Sequence, residues 1–103
     1  MSEGRRYGTF RDFYPFYLTE HSKSGTRRLH FIGTLLVLLT LLYGLATGSW
    51  MLLLLMPVFG YTFAWVGHFF VERNRPATFQ YPLYSLAGDF RMFADMLRGR
   101  VSF

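Results

Sequence analysis

Three histidines, His21, His30 and His68, are the residues through which this chain can do chemistry. Neutral imidazole binds zinc, copper, iron or nickel, and three imidazoles on one ion leave coordination positions open for oxygen, substrate or water. Glu20 adjoins His21, and Glu72 follows His68 by four positions. On a regular helix that spacing puts Glu72 on the same face as His68, where it either joins a metal shell or pairs with Arg73 or Arg75. The absence of cysteine excludes disulfides, thiolate nucleophiles and Cys-based metal or iron–sulfur sites.

Two apolar segments must position these histidines. The stretch 29–71 holds no Asp, Glu, Lys or Arg. Its first half, taken as 29–50, matches the roughly 20 residues a bilayer core requires, and the second half, 50–72, is long enough unaided. Gly48 and Ser49 leave room only for a tight turn between them, so the segments are antiparallel. The fold class expected is all-α, an integral membrane helical hairpin of two transmembrane helices. Its N- and C-terminal segments, 1–28 and 76–103, are amphipathic and interfacial, and the whole of 1–103 is a single membrane domain. Gly33, Gly44, Gly60, Ala64 and Gly67 permit close helix approach, and Pro57 predicts a kink in the second helix. After Pro82, a residue suited to the first helical position, Leu83, Leu86, Phe90, Phe93 and Leu97 recur at helical steps. They read as an amphipathic helix on the membrane surface, with a partner protein as the other use of such a face.

Composition points the same way. Hydrophobic residues make up 51% of the 103, aromatics 20% and charged residues 17%, against about a quarter charged in an ordinary soluble domain. So short a soluble chain has too little interior to hide that surface, which weighs against the alternative of a soluble core hairpin. The net charge of +5 is confined to the flanks, with all eleven Lys and Arg between Arg5 and Arg28 or between Arg73 and Arg100. That pattern fits anionic headgroups and no nucleic acid, and the positive-inside rule puts both termini in the cytoplasm. The first 28 residues contain no apolar run of the kind a cleavable signal peptide needs, so none is expected.

In this hairpin His30 lies 18 residues before Gly48 and His68 lies 19 after Ser49. At about 1.5 Å per residue both reach the same level, the cytoplasmic end. His21 is nine residues before His30, which on one continuous helix would put them on opposite faces. The stretch Ser22-Lys23-Ser24-Gly25-Thr26 reads as a break, with Thr26 a candidate N-cap. A turn there folds His21 back towards the other two.

The segment GHFFVERNRPATF carries Gly67-His68, then Glu72, then Arg75-Pro76-Ala77, and FYPFYLTEHSKSGTRRLH carries His21 and His30 nine apart. Together these resemble the membrane 2-hydroxy-fatty-acid dioxygenase family, a fungal endoplasmic-reticulum enzyme and its short bacterial relatives, formerly a domain of unknown function. The resemblance implies an iron(II)-dependent dioxygenase that converts a 2-hydroxy fatty acid to the aldehyde one carbon shorter. It further implies His21, His30 and His68 as ligands of Fe(2+) and Glu72 and Arg75 as catalytic residues, with Arg75 also gripping the substrate carboxylate; Arg27 is a second candidate for substrate binding. A bacterial inner-membrane location follows from the short relatives, and homo-oligomerisation would help a two-span chain enclose its site. The chain departs from the family at Ser22, where a second histidine is expected, and at Lys23 and Thr26, where asparagines are expected. Two further readings stay open on residues alone, a haem-binding hairpin using His30 and His68 as axial ligands and a non-enzymatic membrane scaffold.

Overall fold

The computed structural model describes residues 7–103, which are helical with no strand among them. Residues 1–6, the start of the expected N-terminal segment, lie outside the described residues. Helix α1, Phe10–Thr19, begins at Thr9, whose hydroxyl accepts from the Asp12 N–H at 3.2 Å. Asp12 also sets a carboxylate against the positive end of the helix dipole. A turn over residues 20–23 leads into α2, Ser24–Thr47, whose 24 residues reach about 36 Å. The helix stops at Gly48, with φ of 67°, a left-handed conformation that would cost a residue bearing a Cβ about 1–2 kcal/mol. The N–H groups of Gly48 and Ser49 both return to the Gly44 carbonyl. Ser49 then caps α3, Trp50–Val66, by accepting from Leu52 N–H at 3.3 Å.

Helices α2 and α3 pack antiparallel, with Gly44 against Leu53, Gly33 against Phe63 and Gly67 against Thr26. Beyond Val66 the chain continues as a single π-helical turn, Gly67–Glu72, then a 3₁₀ turn, Ala77–Phe79, then α4, Pro82–Leu97, with Pro82 in its first turn. Both α2 and the continuous helix from Trp50 to Glu72 are long and apolar enough to cross a membrane.

Burial is concentrated at one end of the molecule. No residue of α3 is buried, and Leu42, Leu54 and Trp50 are 65%, 70% and 78% exposed. The core lies instead between α1 and α4, built from Phe13, Tyr14, Tyr17, Met92 and Met96. The α4 stripe read from the sequence is largely outward-facing: Leu83, Leu86, Phe90 and Leu97 are exposed, and Phe93 stacks on Phe31 of α2 at 4.6 Å. The face of α4 turned towards α1 carries Ser85, Gly88, Met92 and Asp95. Polar pairing explains this choice, since buried polar groups need partners. Tyr14 donates to Asp95 Oδ2 at 2.8 Å, Tyr17 donates to Asp89 Oδ1 at 2.5 Å, and Arg91 and Arg98 complete the Asp95 carboxylate at 3.1 and 3.2 Å.

Gly88 sets how closely α1 and α4 approach. A Cβ there would stand 2.7 Å from Tyr17 Cδ2, and the Tyr17 ring is itself fully buried. Gly88→Ala should therefore destabilise the fold by about 2 kcal/mol, read as a lower unfolding temperature in detergent. An unchanged unfolding temperature would show that the ring can yield.

Candidate metal centre

Each histidine reaches the site by a different local device. His21 follows the end of α1, and its ring stacks on Tyr17 with centroids 4.1 Å apart. His30 lies one turn and a half into α2. His68 sits on the π turn that ends the second long helix. Their ring centroids are 4.3, 4.5 and 5.0 Å apart, and all three side chains are buried. One chain thus supplies all three imidazoles.

The proton on each ring is fixed by its outer neighbour. His21 Nδ1 lies 2.7 Å from the Tyr17 carbonyl and His30 Nδ1 lies 3.1 Å from the Thr26 carbonyl. A carbonyl only accepts, so both Nδ1 atoms carry the hydrogen. His68 Nδ1 is 2.7 Å from Asn74 Oδ1, and that amide is oriented by its own Nδ2, which donates to the Glu20 carbonyl at 3.0 Å. All three Nε2 atoms are consequently bare lone pairs. His21 Nε2 and His30 Nε2 are only 3.0 Å apart, and one ligand atom from each of the three rings lies within 4.8 Å of the others. Two nitrogens on one ion stand no more than about 4–5 Å apart, given metal–nitrogen bonds near 2 Å. The cavity they border is about 20 Å³. Burial first, and then the two neighbouring imidazoles, hold His21 well below its ordinary pKa, so it stays neutral and able to ligate. The group fits a metal ion and can hold one.

Glu72 lies elsewhere. In the π turn hydrogen bonds run from residue i to i+5, so the residue four beyond His68 no longer stacks over it. Its carboxylate accepts from Lys23 N–H at 3.0 Å, Ser22 N–H at 3.1 Å, Thr26 Oγ1 at 2.7 Å and the Ser22 hydroxyl. Lys23, not Thr26, is the N-cap of α2 and has no side-chain cap of its own. Glu72 supplies that cap from the neighbouring helix, favoured by the helix dipole, and so ties the His21 turn to the His68 turn. Arg27 braces the same turn, donating to the carbonyls of His21 at 3.1 Å and Ser22 at 2.7 Å. Arg75 is exposed beside the Phe79 ring, on a surface groove that also includes Phe16 and Glu20.

Four further residues at the site were not singled out from the sequence. Asn74 is turned back on His68 by Arg73, whose φ of 62° is left-handed, and the Asn74 N–H bonds the His68 carbonyl at 2.9 Å. Tyr17, Ser85 and Asp89 line the small cavity with the histidines. Asp89 Oδ1 lies 4.0 Å from His30 Nε2, and burial pushes the Asp89 carboxyl up to about 7 against the pull of the Tyr17 hydrogen bond. Asp89 and His30 also open onto a second cavity of about 390 Å³, lined mainly by apolar residues of α2, α3 and α4. The Ser85–Asp89 spacing of four was the available signal, since it places both on one helical face.

His68→Ala should abolish metal binding by leaving two ligands. Asn74→Ala should keep the three imidazoles but release His68 from its orienting partner, lowering metal affinity about 10–100-fold. Metal content after competition with a chelator measures both, and an Asn74 variant with unchanged affinity would remove that residue from the site.

Comparison with curated proteins and with solved structures finds no match. A family model described as 2-hydroxy-palmitic acid dioxygenase Mpo1-like matches residues 7–101. That match takes in all three histidines, Asn74, Ser85 and Asp89, and the chain belongs to this family.

Proposed function

We propose that the protein is a membrane-bound, non-haem iron(II) dioxygenase that cleaves a 2-hydroxy fatty acid to the aldehyde one carbon shorter. The observation that carries the reading is three δ-protonated imidazoles turned onto one small cavity at the head of an apolar groove. His21, His30 and His68 are the residues that hold the metal. Bound iron(II) supplies the redox centre at which a 2-hydroxy acid and oxygen react.

The chain's own residues bind and orient the acid. The alkyl chain lies in the groove that runs from His30 and Asp89 past Gly60 to Met56 and Pro57. Each methylene buried there contributes about 0.8 kcal/mol. Arg75, exposed on the outer surface, draws the carboxylate to the site by charge. Glu72 acts through the position it gives His21 and His68, and Arg27 through the turn it braces. A haem reading is disfavoured by the 3.0 Å between His21 and His30 Nε2 atoms and by the 20 Å³ of the cavity. A scaffold reading leaves the buried imidazoles without a purpose.

The hairpin spans the bilayer through 29–50 and 50–72, with both termini cytoplasmic and α1 and α4 at headgroup level. The uncovered apolar surface of α3 supports this, because soluble monomers rarely expose patches beyond a few hundred Å². So does the outward stripe of Leu83, Leu86, Phe90 and Leu97 on α4, which suits an interfacial helix.

Iron-loaded protein should consume oxygen with 2-hydroxyhexadecanoate, without 2-oxoglutarate, and release the C15 aldehyde. Arg75→Ala should keep its iron and raise KM, by a factor that shrinks as ionic strength rises, as loss of a steering charge does. Release of the C15 acid instead would contradict the aldehyde product, and an iron-replete protein inert to a panel of 2-hydroxy acids would overturn the substrate. Cysteines at Ser102 and Ser49 should label from opposite sides of the membrane, Ser102 from the cytoplasm. Labelling of both from one side would end the spanning hairpin.

A further inference from the structure

Ser85 Oγ is the one buried side-chain polar atom among the described residues that lacks a hydrogen-bond partner. The residue is 6% exposed, lies on α4, and lines the small cavity that the three histidines border. A buried hydroxyl left unpaired costs about 1–3 kcal/mol, a cost removed when a ligand accepts its hydrogen. Asp89 follows one helical turn later on the same face and borders both the small cavity and the alkyl groove. The Tyr17 hydroxyl occupies its Oδ1 at 2.5 Å, which leaves Oδ2 as the oxygen for a ligand.

We propose that Ser85 and Asp89 together read the polar head of the substrate: Ser85 Oγ–H donates to the carboxylate, and the Asp89 carboxylate accepts from the 2-hydroxyl. This rests on the reading above that the substrate is a 2-hydroxy fatty acid. Such an acid places an acceptor and a donor on adjacent carbons, and the α4 pair offers a donor and an acceptor whose Cβ atoms are about 5–6 Å apart. A plain fatty acid has no hydroxyl for Asp89 and leaves its Oδ2 without a donor at an apolar mouth. Sites built to hydrogen-bond a substrate hydroxyl reject the analogue lacking it by large factors. The pair therefore sets the preference for hydroxylated acids, while the histidines hold the metal.

Equilibrium binding of 2-hydroxyhexadecanoate and of hexadecanoate to full-length, zinc-loaded protein tests this without turnover, zinc having no redox chemistry. Metal content is measured alongside. Wild-type protein should prefer the hydroxy acid at least tenfold. Asp89→Ala should keep its metal and bind both acids alike, and Asp89→Asn, which retains an acceptor, should recover part of the preference. Ser85→Ala should keep its metal and weaken both acids by a similar factor, roughly tenfold, because both carry a carboxylate. Should Asp89→Ala fail to fold, the Asp89→Asn and Ser85→Ala measurements decide the matter. Variants that retain wild-type affinity and preference overturn this assignment alone, and loss of metal from Asp89→Ala overturns it by placing Asp89 in the metal shell. A wild-type protein indifferent to the 2-hydroxyl fails the substrate reading itself, and this assignment falls with it.

Discussion

Two imidazole nitrogens 3.0 Å apart, both δ-protonated on the far side and both buried, present lone pair to lone pair with a third ring beside them. Among the described residues no other group donates to the Nε2 of His21 or His30, so the arrangement is repulsive without a cation between the rings. The fold imposes it all the same. Tyr17, Thr26 and Asn74 each hold one ring by its outer nitrogen, which fixes both tautomer and aim, as outer partners of metal-ligating histidines do.

The rest of the chain maintains that constraint across long sequence separations. Glu72 caps α2 from about fifty residues away and joins the turn bearing His21 to the turn bearing His68. The π turn makes this possible by directing Glu72 off the face that His68 occupies. Tyr17 connects the centre to α4, through its stacking on His21 and its hydrogen bond to Asp89. The α1–α4 pair closes one side of the site, and the hairpin of α2 and α3 closes the other. The apolar groove then leads from His30 between α2, α3 and α4 as far as Met56 and Pro57.

Much of this was legible in the sequence where local rules governed it. An uncharged stretch divided by Gly48–Ser49 into equal arms fixed the common height of His30 and His68, and the break expected over Ser22–Thr26 overlaps the actual turn only at Ser22 and Lys23, since Ser24 to Thr26 already belong to α2. The features that escaped were those decided by distant contacts. Thr26 looked like an N-cap because the true cap, Glu72, comes from another helix. Counting four residues on an α-helix stacks Glu72 over His68, but a π turn lies there and the Glu72 carboxylate bonds Ser22, Lys23 and Thr26. The apolar stripe on α4 has helical periodicity, but periodicity says nothing about which face α1 will cover. Only the partners Tyr14 and Tyr17, more than seventy residues away in sequence, turn Asp95 and Asp89 inward and leave the leucines outside.

The central claim is that three imidazoles from one chain converge on one metal. Extended X-ray absorption at the iron edge of the anaerobically loaded protein tests it most directly. The account predicts about three imidazole shells with nitrogen near 2.1 Å, the range of histidine–metal bonds, with outer-ring scattering from each. A spectrum with oxygen donors alone, or with a single imidazole, would contradict it.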